Sequence, residues 1–152
     1  MDDYDLCRSE TLKHKEEVRF LMHKLIRRIE QRSKDHDNTK LSSPEVEYFS
    51  EHTQKLSGMV YGTEEYTEQL KKLKPALDHH YANNRHHPEH FPNGISGMNL
   101  IDVIELLCDW KASCARYMDG NILKSIEINT KRFGISEDLA SILRNTAELL
   151  EL

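Results

Sequence analysis

Apolar residues in this chain recur three and four positions apart. Its few glycines and prolines, 6 and 4 among 152 residues, stand at the joints between such runs. That spacing is the period of a helix, and it argues against the strict alternation of a half-buried strand. Val18, Leu21, Met22, Leu25, Ile26 and Ile29 predict one amphipathic helix over residues 10–33. In "SSPEVEYFSEH", Ser43 reads as a cap, Pro44 as the first helical position and Glu45 as an acidic first turn. This second helix ends near Ser57-Gly58. Thr63 caps a third, with Tyr66, Leu70, Leu73 and Leu77 facing inward; Pro75 kinks or restarts it and Pro88 ends it. After the turn-rich "FPNGISGMN", Asn99 caps a fourth helix. Its core stripe is Leu100, Val103, Ile104, Leu107, Trp110, Cys114 and Tyr117, and Asp119-Gly120 closes it. A fifth helix covers 121–132, Gly134 breaks it, and Ser136 caps a last one carrying Leu139, Ile142, Leu143 and Leu149. The expected fold is all-α, a compact bundle of about six helices forming one domain over 1–152, with residues 1–8 flexible.

Several function classes are disfavoured by composition. A net charge of -5 speaks against a broad basic face for nucleic acid, and no apolar run approaches the ~18 residues of a membrane span. The opening "MDDYDLCRSE" is acidic and polar, unlike a secretory signal. Cys7, Cys108 and Cys114 form no CxxC pair and read as reduced thiols, which fits a cytoplasmic protein.

The chemistry concentrates in "HHYANNRHHPEH", residues 79–90, which holds five of the nine histidines. His80, Asn84 and His87 continue the inward series 66, 70, 73, 77 if the helix persists, while His79, Asn83, His86 and His90 fall on a neighbouring face. Burying imidazoles and amides is costly unless each finds a partner, so the cluster points to a bound metal or phosphate. A second element is "HDNTK", where His36 and Asp37 offer an imidazole and a carboxylate suited to Mn, Fe, Co, Ni or Zn, one or two ions. Lys40, three residues on, is placed to hold a phosphate oxygen. A third is the carboxylate strip Asp102, Glu105 and Asp109 on the fourth helix, continued by Arg116. Its ordinary reading is a solvated face; its functional reading is a completed metal shell or a base.

These elements resemble the HD superfamily of metal-dependent phosphohydrolases, whose pattern is an upstream histidine, an HDxxK pair and a later aspartate. More extensively, "RSKDHDNTKLSSPE", "HHYANNRHHPEHF" and "MNLIDVIELLCDWKASCAR" resemble an uncharacterised family of small phage and bacterial proteins, over residues 10–146. That second resemblance implies a bacterial or phage origin, hence the cytoplasm of a bacterial host, and no activity. The HD resemblance implies an HD-like helical fold and metal ligation by His36 and Asp37, with Asp102 or Asp109 as the late aspartate. The upstream histidine would be His14, in phase with Val18, Leu21 and Leu25; His23 is nearer in sequence but off the apolar stripe. An unbroken helix would hold His14 ~33 Å from His36 along its axis, so shared ligation requires a break near residues 29–34 or another role for His14. His80 and His87, with His86 beside them, would supply the extra histidines of a second metal.

On this reading the chain hydrolyses a phosphate ester, that of a nucleotide or a related compound, through a metal-activated water. Lys40 and Arg85 would neutralise phosphate oxygens, Asn83 and Asn84 would contact substrate, and Glu89, Asp102 or Glu105 would serve as base or orienter. Two alternatives stay open: a di-iron oxygenase built on the same ligands, and a phage protein that binds an anionic nucleotide signal without turning it over. The apolar edges of "LASILRNTAELLEL" could support a homodimer.

Overall fold

In a computed structural model of the chain, residues 3–57, 64–115 and 120–151 are described. Their regular elements are all helices, with no strand among the described residues, as the periodicity predicts. The chain divides into two units, Met1–Asp35 and His36–Leu152.

The first unit is a single helix, α1 (Asp3–Asp35). It begins well before residue 10. Asp3 and Asp5 complement the dipole in its first turn, and the pairs Lys13–Glu10 and Arg19–Glu16 lie one turn apart along it. It runs without interruption to Asp35, so the break that shared ligation by His14 requires is absent. From His14 to Asp35 the helix rises ~32 Å.

The second unit contains α2 (Glu45–Ser57), α3 (Glu64–Asn83), α4 (Leu100–Cys114), α5 (Ile122–Phe133) and α6 (Glu137–Leu149), with short 3-10 turns at Asn38–Leu41, Pro88–His90 and Gly94–Gly97. Helix α3 passes through Pro75 without stopping. It ends at Asn83, earlier than Pro88. His87 is extended (φ -96°, ψ 128°), as steric conflict with the following proline ring favours, so the inward phase of α3 does not reach it.

The caps expected at Asn99 and Ser136 form; Ser43 does not cap α2, which begins at Glu45 with Pro44 in the turn before it and the Val46 amide bonded to the Ser42 carbonyl. The Asn99 side chain accepts from the Ile101 and Asp102 amides, and Asp102 accepts in return from the Asn99 amide, a reciprocal capping box. Asn121 accepts from the Lys124 amide and Ser136 from that of Leu139. Gly134 takes a left-handed φ of 62°, which a Cβ would disfavour, and ends α5. The expected cap Thr63, the joint at Gly58, and Arg116, Tyr117 and Asp119 lie outside the described residues, as do the side chains of Tyr66 and Leu70.

The apolar core lies between α4, α5 and α6: Leu106, Leu107, Trp110, Ile122, Ile126, Ile135, Ala140, Leu143 and Ala147. Leu100 and Ile104, expected inside, are 75% and 39% exposed. The capping box turns Asp102 inward, so the buried stripe of α4 runs through 102, 106, 107 and 110 instead. On α6, Ile142 and Leu149 point outward while Ala140, Leu143 and Ala147 are buried; the small residues let this helix approach its neighbours closely. All three cysteines are unpaired. No described helix is long and apolar enough to cross a membrane.

Candidate metal centre

After α1 the chain turns sharply. Asp37 adopts φ 57°, ψ 14°, a left-handed conformation that aspartate tolerates better than most residues, and its carbonyl accepts from the Lys40 amide at 2.9 Å. The turn carries His36, Asp37, Thr39 and Lys40 toward the end of α3 and the flank of α4. Four ligand atoms gather there, one each from Asp37, His80, His86 and His87, all within 4.8 Å of one another. A second group, His36, His86 and Glu105, shares His86 with the first.

The hydrogen bonds decide which atoms face inward. His80 Nδ1 lies 2.9 Å from Glu45 Oε2. Glu45 is fully buried, yet its carboxyl stays below the usual range: burial opposes ionisation, and hydrogen bonds from His79, Thr39 and His80 outweigh it. An ionised carboxylate only accepts, so His80 Nδ1–H donates and Nε2 keeps a lone pair. The Asn84 amide does not compete, because its two hydrogens go to Thr39 Oγ1 and the His80 carbonyl, each at 2.8 Å. Glu105 does for His86 what Glu45 does for His80. His86 Nδ1 and His36 Nδ1 sit 3.0 and 2.9 Å from Glu105 Oε1. Each buried carboxylate thus clamps one inner imidazole, His80 or His86, and one outer imidazole, His79 (2.7 Å) or His36.

Lone pairs therefore converge. His80 Nε2 is 2.9 Å from His87 Nε2 and 3.3 Å from Asp37 Oδ1, and His86 Nε2 is 3.5 Å from the same oxygen. A proton on His87 Nε2 would satisfy its contact with His80. It would leave Asp37 Oδ1 and His86 Nε2, both buried, with no hydrogen bond. Acceptors gathered without donors are costly unless a cation stands among them. The spacing fits one: ligands ~2.0–2.2 Å from an ion at tetrahedral or octahedral angles are roughly 2.9–3.5 Å apart.

The electrostatics agree. Burial and the Lys40 charge hold His80 below its ordinary pKa despite Glu45 and Asp37. Burial, with the charges of His86, His80 and Lys40, takes His87 down to about 3, so its imidazole is neutral and able to ligate. Asp37 is burdened by burial, yet the hydrogen bond and charge of Lys40, with His36 and His80, hold its carboxyl below the usual range. His36 behaves oppositely: its bond to Glu105 raises it, against burial and with help from Asp37 and Asp109.

Several expected site residues have other employment. Lys40 donates to Asp37 Oδ2 at 2.6 Å and lies over the Phe49 ring, so it orients the Asp37 carboxylate. Asp102 is fully buried, but its oxygens serve the α4 cap and a two-bond pair with Arg85 at 3.2 and 3.0 Å; it belongs to neither group of convergent ligands. Arg85 is held by that pair and by the face of Phe91. Asn83 is exposed and donates to the His79 carbonyl, and Asn84 is a buried strut. Glu89 pairs with Arg132 at 3.0 Å. Asp109 Oδ1 lies 3.9 Å from His36 Nε2, beside the cluster. His14 lies on α1, exposed, and in neither ligand group. Sequence reading missed Thr39 and the hydrogen bonds by which Glu45 holds His79 and His80; Glu45 looked like an ordinary first-turn acid, and its place in "HDNTKLSSPE", nine residues after His36, was the available signal.

Beside the cluster opens a cleft of about 430 Å³. His87 and Asp109 border it, Trp110 and Phe133 supply apolar wall, and Asn129 and Arg132 line its α5 side.

No curated protein and no solved structure matches the chain. The likeness to HD hydrolases therefore stays confined to the short motifs that suggested it. The sequence profile of a family of unknown function (DUF5662) matches residues 4–149, nearly the whole length, and the chain belongs to that family.

Proposed function

We propose that this protein is a metal-dependent phosphohydrolase acting on a small phosphate ester, a nucleotide among them. The observation that carries the reading is the buried pair of acceptors, Asp37 Oδ1 and His86 Nε2, facing each other at 3.5 Å without a hydrogen bond. Asp37, His80, His86 and His87 would hold a divalent ion of the Mn–Zn series, a nitrogen-rich set with one carboxylate that suits borderline metals. Bound there, such an ion lowers the pKa of a coordinated water and offsets charge on phosphate oxygens.

The chain's own groups supply the rest. Lys40 holds Asp37 Oδ2 and so directs Oδ1 inward. Glu45 and Glu105 fix the tautomers of His80 and His86. Asp109 lines the cleft with its Oδ1 3.9 Å from His36 Nε2; in this reading it would take the proton of an attacking water, with His36 alongside. The cleft's volume fits a small-molecule ester.

Elemental analysis of protein purified with added Mn, Fe, Co, Ni or Zn is expected to find about one ion per chain, lost in His86→Ala and Asp37→Ala. The loaded protein is expected to release phosphate from nucleotides or from p-nitrophenyl phosphate, and His86→Ala is not. Absence of any ion from the wild type rejects the metal site. A bound ion with intact esters recovered under every metal rejects hydrolysis.

A further inference from the structure

The four convergent ligands are held unequally, and the inequality follows the cleft. His80 and His86 are each 1% exposed, and each has its outer ring nitrogen clamped by a buried or nearly buried carboxylate. Asp37 is fixed through its second oxygen by Lys40. His87 has no such anchor among the described residues. Its ring has one hydrogen-bond contact among the described residues, with His80 Nε2, and otherwise rests against the rings of His86 and Tyr81, with centroids at 4.2 and 5.0 Å. Its backbone belongs to no helix: it is the extended residue between the end of α3 and the turn that starts at Pro88. Of the four, His87 alone lines the cleft.

We propose that His87 is the exchangeable ligand of this centre: an anionic oxygen donor, such as an oxygen of a phosphate ester, enters along the cleft and takes the place of its imidazole, while Asp37, His80 and His86 remain. The inference rests on the metal reading above. The exchange replaces one coordinate bond from nitrogen by one from oxygen. The imidazole leaves neutral, so no proton or electron need be moved. Three protein ligands with a fourth position given to water or substrate is the usual arrangement of a catalytic ion, whereas four permanent protein ligands close a structural one. Tyr81, which shares the cleft wall, is the neighbour against which the displaced ring would turn.

Cobalt(II) binding and inorganic phosphate separate the possibilities without any assay of turnover. Full-length wild type, His87→Ala, His87→Gln and His86→Ala are titrated with cobalt against a competing chelator, with circular dichroism to confirm folding. The two His87 variants are expected to keep one ion per chain within about tenfold of wild-type affinity, and His86→Ala to weaken by about 100-fold or more. Phosphate is expected to change the visible cobalt spectrum of the wild type, and of His87→Ala at roughly tenfold lower concentration, since no imidazole competes. His87 variants that lose cobalt as completely as His86→Ala, while folded, overturn the proposal. So does a spectrum that phosphate leaves unchanged in wild type and variant alike. Failure of the underlying metal reading looks different: the wild type itself then binds no cobalt.

Discussion

Glu45→Gln tests the claim that buried carboxylates set the ligand geometry. Glu45 accepts three hydrogen bonds: from His79 at 2.7 Å on one oxygen, and from His80 at 2.9 Å and Thr39 at 3.0 Å on the other. A glutamine of the same shape can turn its carbonyl oxygen to the side with two donors, keeping His80 and Thr39. Its NH₂ then meets His79, whose side chain is 38% exposed and can present the opposite tautomer with its other nitrogen in water. The fold therefore survives, and what disappears is charge. A hydrogen bond to an ionised group contributes about 1.5–3 kcal/mol against about 1 for a neutral pair. His80 thus loses about 1–2 kcal/mol of the support that makes its inward nitrogen basic, or about 5–30-fold in metal affinity. Chelator competition with zinc or cobalt reads this directly, and thermal unfolding of the metal-free protein reads the structural share. A merely structural Glu45 predicts a lowered Tm with unchanged affinity. An affinity within twofold of wild type refutes the reasoning, because it means the His80 tautomer is set without Glu45.

Asp102→Ala removes one side of the α4 capping box and leaves half-exposed Arg85 without its carboxylate; a loss of about 1–3 kcal/mol in urea unfolding is expected, with metal content unchanged, and loss of metal would return Asp102 to the site. Ile126→Ala, at a fully buried core position, is expected to cost about 2–5 kcal/mol, seen as a lower urea midpoint at constant slope. The partly buried His87 makes stability depend on pH. Its folded pKa of about 3 lies below the unfolded value near 6.5, so between these pH values the unfolded chain binds the extra proton and stability falls as pH falls. At pH 5 that amounts to about 2 kcal/mol, so metal-free wild type should lose about that much more than His87→Asn between pH 7 and 5; equal losses would contradict a partly buried, neutral His87.

The helices, and the ends set by Asn99 and Ser136 as caps and Gly134 as a stop, were legible because their causes are local. Which face of a helix turns inward was less so. The periodicity of α4 placed Leu100 and Ile104 inside, and a single capping aspartate rotated the stripe. The site divides in the same way. The residue types were visible as density of histidine and as the His36-Asp37 pair. The phase argument, however, assumed that α3 persists to His87, and it stops at Asn83. His86 and His87 enter the cluster through a turn whose backbone a proline shapes, and no helical phase describes that.

The residues hardest to foresee were those that act on other side chains. Glu45 is unremarkable as a letter, because an acid in a first turn usually faces water, whereas Glu105 stood out in the carboxylate strip as a base or orienter. Here each is turned inward, and its charge obliges two imidazoles to present hydrogens. Once those hydrogens are spoken for, the opposite ring nitrogens of His80 and His86 have only lone pairs left, and Asp37 adds a third acceptor. A cluster built merely to fill space would be more stable with leucines. One assembled for phosphate alone would turn N–H groups inward rather than lone pairs. The inward polarity of the donor set, more than the number of histidines, is what argues for a metal cation at its centre.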